Sequence, residues 1–301
     1  MKVYGVTSCG DVEIDHVVEV GKIDGPVEVI EFSQNRNNFS AVATPNQRFS
    51  IQLYNSRDKK YQSMRLVEAG SLKNSHQLNR RPLSASVDRE ELLSDDLVRL
   101  LAWVVTEGSY GYFRNCKDRS RITLTQSRTH NPELVAEIQG LLDRMGGARR
   151  FEYDYHDSVT WTLSGKVRQR VLQLLPDKQP TWGLLNTLTI PQMRIFLKTS
   201  IKGDGSPNND VAWLIGQKER GTVEVLQAMA TLVGLTATLY DPNTQGQSVL
   251  NVSEYGARTQ VGPLNQARRK ARMAWGISTQ TGRWISRREG TVLIVSGSSF
   301  S

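Results

Sequence analysis

The stretch Leu97-Val-Arg-Leu-Leu-Ala-Trp-Val-Val-Thr-Glu107-Gly108-Ser109 decides how this sequence is read, because its pattern returns as Met193-Arg-Ile-Phe-Leu-Lys-Thr-Ser-Ile-Lys-Gly-Asp204-Gly205-Ser206. Each copy is an apolar run of helical length that stops at an acid followed by glycine. The pattern predicts two helices, each closed by a glycine whose φ > 0 turns the backbone out. Packed side by side, the helices would bring the carboxylates of Glu107 and Asp204 together. Trp103, Thr199 and Ser200 are the side chains on which the closeness of that pair depends.

The 301 residues exceed the usual size of one domain, which predicts two domains or one interrupted by an insertion. The 38 Lys and Arg against 30 Asp and Glu leave a net charge of +8. Such an excess favours a polyanionic partner, nucleic acid first, with a merely solubilising charge as the alternative. No apolar run reaches the ~18 residues of a membrane span, and the first residues lack the charged-then-apolar order of a secretory signal. The expectation is an intracellular protein with no membrane partner, in the cytoplasm of a bacterial or phage host. Cys9 and Cys116 are too far apart in sequence for a disulfide framework or a cysteine zinc motif. Cys9 reads as a buried structural thiol.

From Met1 to about Leu93, β-prone pieces such as Val27-Glu-Val-Ile-Glu-Phe32 and Phe49-Ser-Ile-Gln-Leu-Tyr54 alternate with turn clusters, Gly21-Lys-Ile-Asp-Gly25 and Asn35-Arg-Asn-Asn38 among them. Ala43-Thr-Pro-Asn-Gln47-Arg-Phe49 resembles the Thr-Pro-Asn-His signature of the Hint module, the all-β self-processing fold of inteins, with Gln47 where that family has histidine. The tail from Trp275 to Ser299 resembles an intein's closing strands, but Ser298 replaces the asparagine that would cyclise to cut the chain. Gln47 cannot protonate a leaving amine and Ser298 has no carboxamide, so the resemblance implies a splicing-inactive remnant. The two ends read as halves of one Hint-like domain.

Between them lies a tandem repeat. Ser94 is placed to cap the first helix, with Asp95 and Asp96 in its first turn. Strands Tyr110-Gly-Tyr-Phe113 and Arg121-Ile-Thr-Leu-Thr-Gln126 follow, the latter alternating polar and apolar residues. Asn131-Pro132 starts a second helix that ends at Gly146; then come strands Phe151 to Tyr155 and Val159 to Leu163, and a helix from about Val167 to Leu175. After Asp204 the order recurs: strand Val211 to Gln217, helix Thr222 to Val233, strands Thr236 to Tyr240 and Val249 to Ser253. Gln126 and Gln217 each end the strand that follows the acid. The duplication predicts two pseudosymmetric halves, suited to a target that is itself roughly two-fold.

The runs Leu100 to Gly108 and Leu197 to Gly205 resemble the two motifs of single-chain LAGLIDADG homing endonucleases. The resemblance implies an α+β architecture: a pseudosymmetric tandem αββαββα endonuclease domain at 94–265 (halves 94–180 and 181–265), inserted in the Hint-like domain formed by 1–93 and 266–301. It implies a monomer with an internal pseudo-two-fold that makes metal-dependent double-strand breaks at a long DNA site. Glu107 and Asp204 would be the metal ligands, one per half; hard oxygen donors suit Mg²⁺, with Mn²⁺ as a substitute. Gln126 and Gln217 resemble the family's water-ordering residues, and Lys166 is placed to put a positive charge near the transition state. Ordinary strand-end glutamines and a solvated helix-start lysine are the alternatives. Arg119, Arg121, Thr123, Thr125, Arg149, Thr160, Thr162, Thr236, Thr238, Asn251 and Ser253 lie on polar strand faces that would enter the major groove. Arg268, Arg269, Lys270 and Arg272, continued by Arg283, Arg287 and Arg288, form a run without intervening acids, read as a phosphate-binding cluster or else a solvated helix face. A repressor-like protein that binds specific DNA without cutting it is the other reading.

Overall fold

The computed structural model describes residues 2–7, 9, 11–34, 39–82, 84–85, 89–111, 121–152, 157–244, 246–254 and 258–296. The chain divides into two compact units, Met1–Asp88 with Asn208–Trp213 and Ala230–Ser301, and Arg89–Pro207 with Leu214–Met229. Cys116, Arg119, Ser298 and the Asn35 to Asn38 cluster lie outside the described residues, as do Phe113 and Tyr155 at the ends of two expected strands.

The first segment builds strands β1 (Lys2–Val6), β2 (Asp11–Gln34), β3 (Phe39–Ala43), β4 (Arg48–Gln52), β5 (Tyr54–Asn55), β6 (Lys60–Tyr61), β7 (Arg65–Glu68), β8 (Gln77–Asn79) and β9 (Ser84–Ala85). The middle gives α1 (Asp95–Glu107), β10 (Gly108–Gly111), β11 (Arg121–Ser127), α2 (Pro132–Met145), β12 (Ala148–Glu152), β13 (Ser158–Leu163), α3 (Gly165–Leu174) and α4 (Trp182–Thr187). The second motif helix, α5 (Ile190–Asp204), leads into β14 (Gly205–Asn209), β15 (Ala212–Gln217), α6 (Arg220–Leu232), β16 (Thr236–Tyr240) and β17 (Ser248–Ser253). The tail is β18 (Arg258–Gln260), β19 (Asn265–Thr279), β20 (Arg283–Arg288) and β21 (Thr291–Ser296). The first half thus runs αββαββα. The second repeats αββαββ and passes into strand β18 where the pattern would place a closing helix.

In the first unit, tail and head share one sheet of order β18-β8-β4-β21-β20-β1-β2-β19, with β3 and β9 on β2 and β7 on β4. Its core holds Ile30, Phe39, Ile51, Leu78 and Val295 around an edge-to-face pair, Phe32 and Phe49, with centroids 5.9 Å apart. The expected turn at Gly21 to Gly25 is instead the middle of strand β2. There β19 supplies a partner at every step from Glu19↔Ser278 to Asp24↔Met273. The register then slips, and Gly25 (φ +108°) with Pro26 bulges opposite Arg272, a place for a residue that tolerates positive φ and one that lacks an N–H. The basic run Arg268 to Arg272 therefore lies on a strand, and no part of it forms a helix. Cys9, expected to be buried, is exposed and free.

In the second unit, β10-β11-β13-β12 form a four-stranded sheet. β11 alternates as its sequence predicts, with Ile122, Leu124 and Gln126 buried and Arg121 and Thr125 exposed. A second four-stranded sheet has the order β14-β15-β17-β16, and its β16–β17 ladder falls in the first unit.

Candidate active site at the ends of α1 and α5

Capping sets where both motif helices begin. Ser94 Oγ accepts from Leu97 N (3.3 Å), and Asp96 is clamped by Arg144, Nε to Oδ2 and Nη2 to Oδ1 each 2.9 Å. α5 starts in a capping box: Thr189 Oγ1 accepts from Gln192 N and Gln192 Oε1 from Thr189 N. Gln192 Nε2 also donates to Leu93 O at 2.5 Å, tying the two starts together. At the other end a Cβ on Gly203 would stand 2.4 Å from Thr106 Oγ1 and 2.7 Å from Thr106 Cβ. The helices thus run parallel, with the Gly203 backbone against the Thr106 side chain. Trp103 and Ser200 are fully buried and Thr199 is 4% exposed.

The terminal glycines serve a purpose different from the expected one. Gly108 (φ −76°) and Gly205 (φ −87°) are extended, a conformation any residue adopts. What excludes a side chain is space: a Cβ would lie 2.2 Å from Val104 O at Gly108 and 2.3 Å from Ile201 O at Gly205. The chain leaves each helix directly into a strand pressed against the helix's last turn.

Both acids are half-buried beside the negative ends of their helices, an unfavourable place for a carboxylate. Burial, and after it the charge of Asp204, pushes Glu107 up from 4.5 to about 7, against the pull of Lys178. Burial likewise raises Asp204, opposed by a hydrogen bond from Gln217 Nε2 and by Lys178. Lys178 is itself lowered by burial, while the two carboxylates favour its charge; its Nζ donates to Thr106 O at 3.2 Å. Its backbone takes φ +64°, a left-handed strain of the kind that persists where surrounding contacts hold a residue in place.

The two expected glutamines differ. Gln217 touches its acid, whereas Gln126 is buried with Oε1 accepting from Asn131 Nδ2 (2.9 Å) and Ser127 N (3.2 Å). Lys166 is exposed in the first turn of α3. The lysine beside both acids is Lys178, which the sequence reading passed over. It lies between α3 and α4 and carries no local pattern, so a search for cations near the motif acids in sequence has nothing to find. Among the described residues, no group of three or more His, Cys, Asp or Glu converges as a ready-made metal cage. Two carboxylates whose like charges are costly together, with hard oxygen donors, still fit a Mg²⁺-type ion, which takes the rest of its ligands from water and phosphate.

The strand residues fall into distinct settings. On the first sheet, Thr123 pairs with Thr162 and Thr162 with Arg149, while Thr125 pairs with Thr160, so these five side chains share one face with Arg121. Thr125 and Thr160 hydroxyls lie 3.1 Å apart, and Arg149 is exposed. On the β16–β17 ladder, Thr236 pairs with Ser253 and Thr238 with Asn251, but Thr236 and Thr238 are buried. Arg268, Arg269, Lys270 and Arg272 are exposed along β19, where Arg268 pairs with Glu28 (2.5 Å) and Arg269 with Glu31 (2.8 Å), acids brought in from β2. Arg283 Nη1 is engaged with Thr7 O at 3.2 Å.

No protein-family model matches the sequence, and no curated protein matches it. Solved structures that resemble the chain include LAGLIDADG proteins. The homing endonuclease I-DmoI in complex with DNA and Mn is 14% identical, over 53% of this chain and 89% of that one, at a TM-score of 0.41. I-WcaI bound to its DNA recognition sequence is 12% identical, over 55% of this chain and 78% of that one, at 0.39. The N-terminal LAGLIDADG domain of DUF199/WhiA is 11% identical, over 53% and 74%, at 0.37. Among the described residues, no helix is long and apolar enough to cross a membrane.

Proposed function

We propose that this chain is a divalent-metal-dependent DNA endonuclease of the homing type, acting as a monomer on a long, roughly two-fold duplex site. The observation that carries the reading is the placement of Glu107 and Asp204, half-buried and electrostatically coupled at the adjoining ends of α1 and α5, with Lys178 facing both. Glu107 and Asp204 would hold Mg²⁺ or Mn²⁺, which when bound supplies an activated water and neutralises charge on the phosphate and the departing 3′ oxygen. Gln217 fixes the orientation of the Asp204 carboxylate. Lys178 keeps part of the acid pair ionised near neutral pH and presents a cation to charge that develops on the phosphate. Arg121, Thr123, Thr125, Arg149, Thr160 and Thr162 share a sheet face with donors and acceptors suited to base edges and phosphates.

The test is digestion of genomic DNA from the protein's host lineage with the full chain and Mg²⁺. Discrete fragments are expected, absent with EDTA and in Glu107→Gln and Asp204→Asn; fragments unchanged in both variants would sink the assignment. A repressor-like reading is favoured by one observation, the coulombic coupling of the Lys178 ammonium to both acids, which offsets their charge without a metal; specific duplex binding with no nicking in Mg²⁺ or Mn²⁺ would select it. The head and tail are proposed as a splicing-inactive Hint-like domain, in which Gln47 Nε2 donates to Ser296 O without a group able to donate a proton to a leaving amine. An intact full-length mass after expression is expected; a shortened chain would refute that part.

A further inference from the structure

A polar cavity of ≈ 430 Å³ opens over the Thr236, Thr238 and Asn251 side of the β16–β17 ladder, walled by Arg80 and Arg258, and none of its lining residues is an acid. Arg80 is only 7% exposed, and its Nη2 donates to Thr238 Oγ1 at 3.1 Å. Three buried atoms around the same cavity, Arg80 Nε, Thr236 Oγ1 and Asn251 Oδ1, have no hydrogen-bond partner among the described residues. Buried polar groups are nearly always satisfied, and leaving several unmade in one place is costly enough to point to a missing partner. That partner has to suit a buried guanidinium with no carboxylate beside it, whose pKa burial pushes down. A second positive charge stands at the wall: Arg258 Nε donates to Gln52 Oε1 at 2.6 Å, and its guanidinium carbon sits 3.7 Å from the centroid of the Tyr61 ring. Two cations, a hydroxyl and an amide that presents its NH₂ on turning over make a donor-rich pocket.

We infer that this cavity is an oxyanion site that takes a phosphate group, held by the Arg80 guanidinium, the Thr236 hydroxyl and the Asn251 amide. The inference stands apart from cleavage chemistry. It removes Thr236, Thr238 and Asn251 from base reading, giving Thr236 and Asn251 to one phosphate, either of a nucleic-acid backbone or free in solution, and Thr238 to holding Arg80. The donor set favours phosphate over a carboxylate, because a guanidinium, a hydroxyl and an amide line the same cavity and a carboxylate has only two oxygens to offer them.

The test is thermal melting of the full chain in inorganic phosphate against chloride of equal ionic strength, with duplex binding measured at several salt concentrations. Wild type is expected to show a saturable phosphate-dependent rise in Tm. Arg80→Met loses that rise, melts higher than wild type in phosphate-free buffer because an uncompensated buried charge is gone, and Asn251→Leu weakens phosphate by roughly tenfold or more. If the phosphate belongs to DNA, Arg80→Met also lowers the salt slope of duplex binding by about one; if it is free, the slope is unchanged while the phosphate response is still lost. Folded Arg80→Met that keeps both the wild-type phosphate response and the wild-type slope overturns the site. Should Arg80→Met fail to fold, Asn251→Leu decides it: no loss of affinity for phosphate or duplex is the overturning result.

Discussion

At the scale of single residues, Glu107 sets how the molecule responds to pH. Its proton is held to about 7 in the folded chain against 4.5 as a reference, so between those values the folded state binds more protons than the unfolded one. Stability from this group is present below about 4.5 and lost as pH rises through about 7. In EDTA, Glu107→Gln is therefore expected to match wild type near pH 4 and to melt higher at pH 8, by about 1 kcal/mol once solvent screening of a half-buried group is allowed for. Identical profiles would refute the assignment of the titration to Glu107. Mg²⁺ should reverse the comparison at pH 8, stabilising wild type and not the variant. Lys178 works in the other direction, drawing both acids down. Lys178→Met should shift the pH midpoint of cleavage upward and slow it by roughly 10²-fold. A pH–rate profile reads both effects, and a midpoint that moved with Lys166→Met but not with Lys178→Met would reverse the assignment.

At the scale of elements, the α1–α5 pair rests on absent side chains. Ala at Gly203 places a methyl against Thr106 Cβ, which cannot swing away as a side-chain tip would, so the helices must part. Gly203→Ala is expected to cost roughly 1–3 kcal/mol, and to cost less in a Thr106→Gly background, where the opposing atoms are gone. Denaturant melts of the double-mutant cycle check this; additive costs would mean the helices do not meet there. How legible such features were in the sequence follows from their range. The Ser94 cap, the acid–glycine ends and the alternation in β11 are local patterns, and both motif helices and that strand could be read from them. The Thr189-to-Gln192 capping box is a local pattern too, though it precedes the apolar run beginning at Met193 that marks the helix, and short α4 has too few turns to show a period. β2 was broken at Gly21 to Gly25 because its partner, β19, lies far along the chain. The glycine at each helix end was visible, but its physical reason, a missing Cβ against a carbonyl, exists only once the strand has folded back.

At the scale of the whole molecule, the net charge of +8 is a sum that hides how charge is spent locally. The run Arg268 to Arg272 reads in sequence as uniformly basic, and folding pairs its first two arginines with Glu28 and Glu31 across the β2–β19 ladder. Lys270 and Arg272 are exposed and make no ion pair among the described residues, although Glu28 is the register partner of Lys270. An arginine already held by a carboxylate gives up that partner when it meets a phosphate, so its net gain is small, and removing it also frees the acid to repel the duplex. An unpaired cation gains the full attraction and releases its share of counterions. If the ribbon carries DNA, Lys270→Gln and Arg272→Gln should each lower the slope of log K against log salt by about one, for specific and unrelated duplexes alike. Removing Arg268 together with Glu28 should change the slope less than removing Lys270 alone, since that pair contributes no net charge. Fluorescence anisotropy on a labelled duplex at four or more salt concentrations gives all the slopes. Equal slopes in wild type, Lys270→Gln and Arg272→Gln would take the strand out of the DNA-binding surface and leave its charge to solubility.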